Sequence, residues 1–218
     1  MMGAAEGYYD HVRPHICELV ADHAAVALPK VLDLGCASGR LGEALKARGI
    51  AREVDGVELS ETAAAEARGR LDRVWAADLA ELDWAEIPDD YDVIIAADVL
   101  EHLADPWATL RILRHHLAPG GTVVASIPNV RYWKVVFDLL VRGEFRYVDE
   151  GILDRTHLRF FTRTSIRRLF ADSGYVVGHL APNPIDRPPL RRAMMAIAGD
   201  LAHVQFHVAA RPADQDPR

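Results

Sequence analysis

The residues best suited to chemistry stand at the ends of short apolar runs. Val31 and Leu32 lead into Asp33, Gly35, Ala37 and Gly39, and a helix-forming stretch follows to Arg48. Small residues let a ligand approach the backbone closely. A helix start there offers free N–H groups and a partial positive charge to a carboxylate or phosphate. The dinucleotide fingerprint would need G-x-G-x-x-G. Here the small residues recur at every second position and Asp33 stands ahead of them, which disfavours a nicotinamide enzyme. Glu58 ends the next apolar run, 19 residues after Gly39. A carboxylate there can accept hydrogen bonds from both ribose hydroxyls of a nucleoside. Further along come Asp78, then Asp98 with Glu101 and His102, and finally Asp154, Arg155, Thr156 and His157.

Alternating strand-like and helix-like stretches must position these groups. Helical spacing of Val12, Ile16, Leu19 and Val20 predicts one or two helices over 8–27. Strands are expected at 30–34, 53–58, 74–77, 91–97, 122–127, 175–180 and 201–210. The run at 91–97 is continuously apolar, as in a buried parallel strand. Helices are expected at 39–48, after Ser60, at 107–117, over 129–142 and at 162–172, with Ser60 and Thr162 as caps. The pattern implies an α/β, Rossmann-like, doubly wound and mostly parallel seven-stranded sheet with helices on both faces. One domain over 1–210 is expected, with substrate-side insertions at 131–161 and 182–200 and a flexible tail at 211–218.

The 218 residues carry a formal net charge of −7. Residues 1–130 hold 22 acidic and 11 basic side chains, whereas 131–218 hold 10 acidic and 14 basic. An acidic front half argues against nucleic-acid binding. No apolar run is long enough to span a bilayer, and no secretory signal precedes Asp10. Two cysteines suggest no disulfide framework, which fits a reduced cytoplasmic setting. The ten histidines are scattered. None falls in a Cys/His cluster of zinc-finger spacing, so no metal is expected.

The segment from Asp33 to Gly39 resembles the first motif of the class I S-adenosylmethionine (SAM)-dependent methyltransferases, [DE]-x-G-x-G-x-G, with Ala37 in place of the middle glycine. The runs ending in Glu58, Asp78 and Asp98, and the Pro119-Gly120-Gly121 turn, resemble its later motifs. The resemblance implies SAM as cofactor and S-adenosylhomocysteine as product. It implies that Glu58 and Leu59 meet the ribose, that Asp78 and Leu79 meet the adenine, and that Asp98 lies beside the methionine portion. Tyr9 is expected to fold over the cofactor as a lid or to pack in its helix. The rear half resembles bacterial methyltransferases of sugar and natural-product biosynthesis and, more loosely, MetW-like proteins of methionine biosynthesis. The second likeness keeps open a non-catalytic SAM-binding protein acting through a protein partner.

Basic and aromatic residues interleave over 131–168. They predict a small-molecule acceptor that is partly apolar and anionic, met by Arg131, Trp133, Arg155 and Phe161. Trp133 has a competing reading as a core or dimer-interface residue, and both a monomer and a homodimer stay open. SAM brings its own activation, so the protein need only align the acceptor, exclude water and, for a hydroxyl, remove a proton. His157 and His102 are the candidates for that proton. His157 has a competing structural role, bonded to Asp154 or to a backbone carbonyl.

Overall fold

The computed structural model describes residues 13–182 and 198–213. The chain enters through α1 (Pro14–His23) and then alternates: β1 (Lys30–Leu34), α2 (Arg40–Ala47), β2 (Glu53–Glu58), α3 (Glu61–Ala67), β3 (Arg73–Ala76), β4 (Tyr91–Ala97), α4 (Pro106–His116) and β5 (Leu117–Pro128). After α5 (Trp133–Phe137) and α6 (Arg163–Asp172) it closes with β6 (Tyr175–Pro182) and β7 (Gln205–Pro212). The seven strands make one sheet in the order β3-β2-β1-β4-β5-β7-β6. Strands β1 to β5 pair in parallel, and β7 runs antiparallel between β5 and β6. The expected doubly wound sheet is therefore present, with one reversed strand near its edge.

Successive side chains on a strand point to opposite faces, and here both faces are covered. Leu32, Ile94 and Val123 pack with Leu110 and Leu113 of α4 and with Ile166 and Phe170 of α6. Val31, Val93 and Val124 turn the other way, onto Ile16 and Val20 of α1 and Leu41 and Leu45 of α2. Burial on both sides explains why β4 reads as an unbroken apolar run. The helix starts follow local chemistry. Ser60 Oγ accepts from Ala63 N–H at 3.3 Å, and Thr162 forms a reciprocal capping box with Ser165.

Several boundaries differ from expectation, and β5 already starts at Leu117 rather than at 122. The helix over 129–142 begins only at Trp133 and passes into a π-helical turn, Asp138–Arg142. Asn129 cannot join it, because its amide donates to the carbonyls of Asp200 and His203, both at 2.7 Å. The same tie holds Gly199–Ala202 as a 3₁₀ turn, so the last strand starts at Gln205 rather than at 201. That strand also outlasts the expected start of the tail: Arg211 and Pro212 pair with Val176 and Tyr175, while 214–218 lie outside the described residues.

One buried pair makes the fold acid-sensitive. His207 on β7 stacks on His15 of α1, with ring centroids 4.2 Å apart. Burial, reinforced by the positive fields of His15, His179 and Arg13, pushes the His207 pKa down to about 3. In an unfolded chain it titrates near 6.5. The unfolded state therefore binds more protons between these values, and stability falls as pH drops through that window. Replacing His207 with Leu should flatten the dependence by about 1.4 kcal/mol per pH unit between pH ~6 and ~4. Urea unfolding across that range measures it, and parallel wild-type and variant curves would refute the assignment.

Candidate active site

At the carboxyl ends of the parallel strands lies a cleft of about 890 Å³, within the roughly 300–1,000 Å³ usual for small-molecule sites. One wall is the β1–α2 loop. Gly35 and Gly39 have positive φ, and so does Ala37, at 47°. The loop is stitched to the end of β2: Gly35 N–H and Cys36 N–H both donate to the Val57 carbonyl, at 2.8 and 3.1 Å. Glu58 completes the clasp. One of its carboxylate oxygens accepts from Ala37 N–H at 2.8 Å and the other from Ser60 N–H at 2.9 Å. Asp33, beneath the loop, is buried with one oxygen lacking a hydrogen-bond partner. Burial raises its pKa to about 7, against the pull of Arg13 and with the charge of Glu58 adding to the rise.

The opposite wall centres on Asp98, whose φ of 58° is also positive. Arg13 reaches it at 2.5 Å, Ser126 Oγ donates to it at 2.9 Å, and the Gln205 amide donates as well. Among the described residues, Ala37 and Asp98 are the non-glycine positions with positive φ, and both line this cleft. Such conformations cost about 1–3 kcal/mol each and persist only where surroundings over-determine them.

Past Asp98 a cluster of titratable groups closes the cleft. His102 Nδ1 meets Thr156 Oγ1 at 3.1 Å, and that hydroxyl donates to Asp154 at 2.7 Å. His157 lies edge-on to His102, with ring centroids 4.6 Å apart, and its Nδ1 meets the Ile152 carbonyl at 3.0 Å. Glu101 is 1 % exposed, and neither carboxylate oxygen has a hydrogen-bond partner. Burial and the nearby Asp98 charge hold its pKa well above the usual carboxylate range. Burial and the neighbouring His157 lower that of His102.

Residues 8–180 match the model of the methyltransferase domain family. The chain belongs to this class I SAM-dependent family. It is similar to ubiquinone biosynthesis O-methyltransferases from Stutzerimonas stutzeri (32 % identity over 123 residues, 54 % of this chain and 52 % of that protein) and Aeromonas salmonicida (29 % over 155 residues, 68 % and 63 %). It thus spans between half and two-thirds of the length of these curated relatives. Two solved structures share its fold. A SAM-dependent methyltransferase from Mesorhizobium loti aligns with a TM-score of 0.63 at 20 % identity, covering 93 % of this chain and 98 % of that one. Magnesium protoporphyrin IX methyltransferase from Synechocystis PCC 6803, with bound S-adenosylhomocysteine, aligns with a TM-score of 0.62 at 19 % identity, covering 94 % and 83 %.

In this methyltransferase domain, Asp33, Gly35, Ala37, Glu58, Leu59, Asp78, Leu79, Asp98 and His102 all line the one cleft. Gly39 stands just behind it, capping α2 with φ 82°. Asp78 spends one carboxylate oxygen on the Ala80 N–H, as a turn former does. Tyr9 lies outside the described residues. Folding sets five of the expected residues away from the cleft. His157 is buried behind His102. Phe161 is 4 % exposed and packs in the core, which corrects its expected place against the acceptor. Trp133 is an exposed helix residue, and Arg155 points to solvent, paired with Asp149 at 2.7 Å. Arg131 is likewise exposed, 3.9 Å from Asp200. Arg13 belongs to the site but carries no motif, and Glu101 and Thr156, though they stand beside the candidate histidines in sequence, had no expected role. Arg13 did leave a signal: Pro14 marks a helix start, and a cation just ahead of it opposes the helix dipole, which an anionic partner would offset.

Glu58→Ala should strip two backbone donors of their acceptor and lower stability by about 1–3 kcal/mol. Thermal and urea unfolding with no ligand present test this, and an unchanged midpoint would contradict the clasp.

Proposed function

We propose that this domain binds SAM in the cleft and transfers its methyl group to an oxygen of a small molecule held at the Asp98–His102 end. The observation that carries the reading is the convergence on one cleft of a backbone-clasping carboxylate at one end and a histidine cluster at the other. Glu58 still has acceptor capacity for ribose hydroxyls after serving Ala37 and Ser60, since a carboxylate offers about four lone-pair sites. Asp33 and Asp98 place carboxyl groups where the cationic methionine portion would lie. Oxygen is favoured as the acceptor atom because the similar ubiquinone biosynthesis proteins are O-methyltransferases.

The reaction is an in-line displacement. The acceptor oxygen attacks the methyl carbon, the carbon–sulfur bond breaks, and its electron pair stays on sulfur as S-adenosylhomocysteine leaves. Holding the two partners in line supplies several kcal/mol of the barrier reduction. His102 is the side chain that meets the acceptor as it loses its proton, and His157 supports it from behind. From the segment 131–158, Thr156 lines the cleft, and the apolar share of the lining, from Leu79, Val99 and Leu103, favours a partly apolar acceptor.

Calorimetry with the purified protein should show one SAM site, weakened about tenfold or more by Glu58→Ala, since a hydrogen bond to a charged group is worth roughly 1.5–3 kcal/mol. With labelled SAM and a panel of hydroxylated acceptors, His102→Ala should cut turnover by about 100-fold or more while SAM affinity stays within about threefold. Absence of SAM binding would defeat the cofactor assignment. Binding without transfer to any acceptor would leave a SAM-binding protein that acts through a partner.

A further inference from the structure

We infer that Glu101, His102 and His157 form a site for a divalent first-row transition-metal cation at the acceptor end of the cleft. The inference rests on the methyl-transfer reading and says how the acceptor would be activated. One ligand atom from each of these residues lies within 4.8 Å of the others. The set, two imidazoles and one carboxylate, is the donor chemistry that zinc and its neighbours favour over magnesium or calcium.

The decisive feature is Glu101. A carboxyl group that is 1 % exposed and has no hydrogen-bond partner on either oxygen is costly to keep. A cation between it and the two rings would satisfy it. The surroundings match what orients metal-bound histidines, whose second ring nitrogen is held by a carbonyl or by a chain to a carboxylate. His157 Nδ1 is held by the Ile152 carbonyl. His102 Nδ1 meets Thr156, which passes the contact to Asp154. Zinc bonds of about 2.0–2.2 Å place ligand atoms roughly 3.3 Å apart. Where they stand farther apart, the side chains must draw in by an ångström or so.

His102 lines the cleft, while Glu101 and His157 are buried behind it, so the cation would keep one side toward the acceptor. There it would take the acceptor hydroxyl as a further ligand. With the His102 ring held as a ligand, the hydroxyl proton passes to water in place of that ring, and the ionised oxygen attacks the methyl carbon with sulfur leaving as before.

The test uses the full chain stripped with a chelator and desalted, then titrated with Co²⁺ and, separately, Zn²⁺. The expected result is one cation per chain by calorimetry, with visible cobalt bands of mixed nitrogen–oxygen ligation. Glu101→Gln and His157→Ala should each weaken uptake at least tenfold. Thr156→Val, a change at an exposed position that leaves all three ligands in place, should shift the cobalt bands and weaken uptake about tenfold. It decides the matter if the buried variants fail to fold. No uptake of either cation at millimolar concentration, or uptake that the folded variants leave unchanged, overturns the inference. SAM binding by the metal-free protein is measured in parallel, so loss of the cofactor reading and loss of the metal site give different results.

Discussion

The β1–α2 loop has almost no means of holding its own shape. Its small side chains pack little, and at Ala37 the backbone adopts a conformation that a side chain resists. What holds it is the end of β2, where the Val57 carbonyl takes two loop N–H groups and Glu58 takes a third. The cleft therefore depends on the register between two strands: Leu34 sits opposite Val57, and the last carbonyl and carboxylate of β2 meet the loop as it leaves β1. A glycine in the middle of β2 belongs to the same constraint. A Cβ at Gly56 would stand 2.5 Å from Cys36 Sγ, so the loop can settle only over a bare backbone. Glu58 is thus structural before it meets any ligand.

Asp98 solves a related problem on the far wall by different means. Its strained backbone and its charge are both held by groups remote in sequence: Arg13 ahead of α1, Ser126 on β5 and Gln205 on β7. Arg13 would be unfavourable at a helix N-cap, and Asp98 would be unfavourable so near Glu101. The pair cancels both costs. The reversed strand β7 is what delivers Gln205, so the one antiparallel element in the sheet also serves the site.

Much of this was legible in the residues. Strand ends are visible as apolar runs that stop at an acid, and ligands in an open α/β sheet gather at those ends. Hence Asp33, Glu58, Asp78 and Asp98 could be placed in one cleft before any geometry was known. Positions 101, 102 and 157 are a different case. Nothing in their spacing announces a cluster, because a long excursion separates them. Phe161 and Trp133 fail in the opposite sense. Both sit in an aromatic-rich segment, and composition alone does not tell an aromatic that packs inward from one that stays on the surface. Asn129 is kept out of the helix that follows it by side-chain bonds to residues some seventy positions away, which no local propensity encodes.

The two halves of the cleft are consequently built on different principles. The cofactor half is made of backbone geometry and strand register, so it tolerates little change beyond the substitution of one small residue for another. The acceptor half is made by an excursion, 143–158, that has little regular structure and docks by a few bonds. Leu158 and Arg159 N–H groups donate to the Glu101 carbonyl at 2.9 and 3.0 Å, and the Arg159 guanidinium caps the Ala104 carbonyl. These bonds fix where Thr156 and His157 meet His102, while the outer part of the excursion closes on itself: Val148 bridges to Asp154, and the Phe145 and Tyr147 rings pack with Phe160. Leu140 and Val141 remain largely exposed just before it. A segment that holds its own shape and meets the sheet mainly at its end can change which molecule it admits without disturbing the strands beneath. That separation explains why the cofactor could be read from the motifs while the acceptor could not.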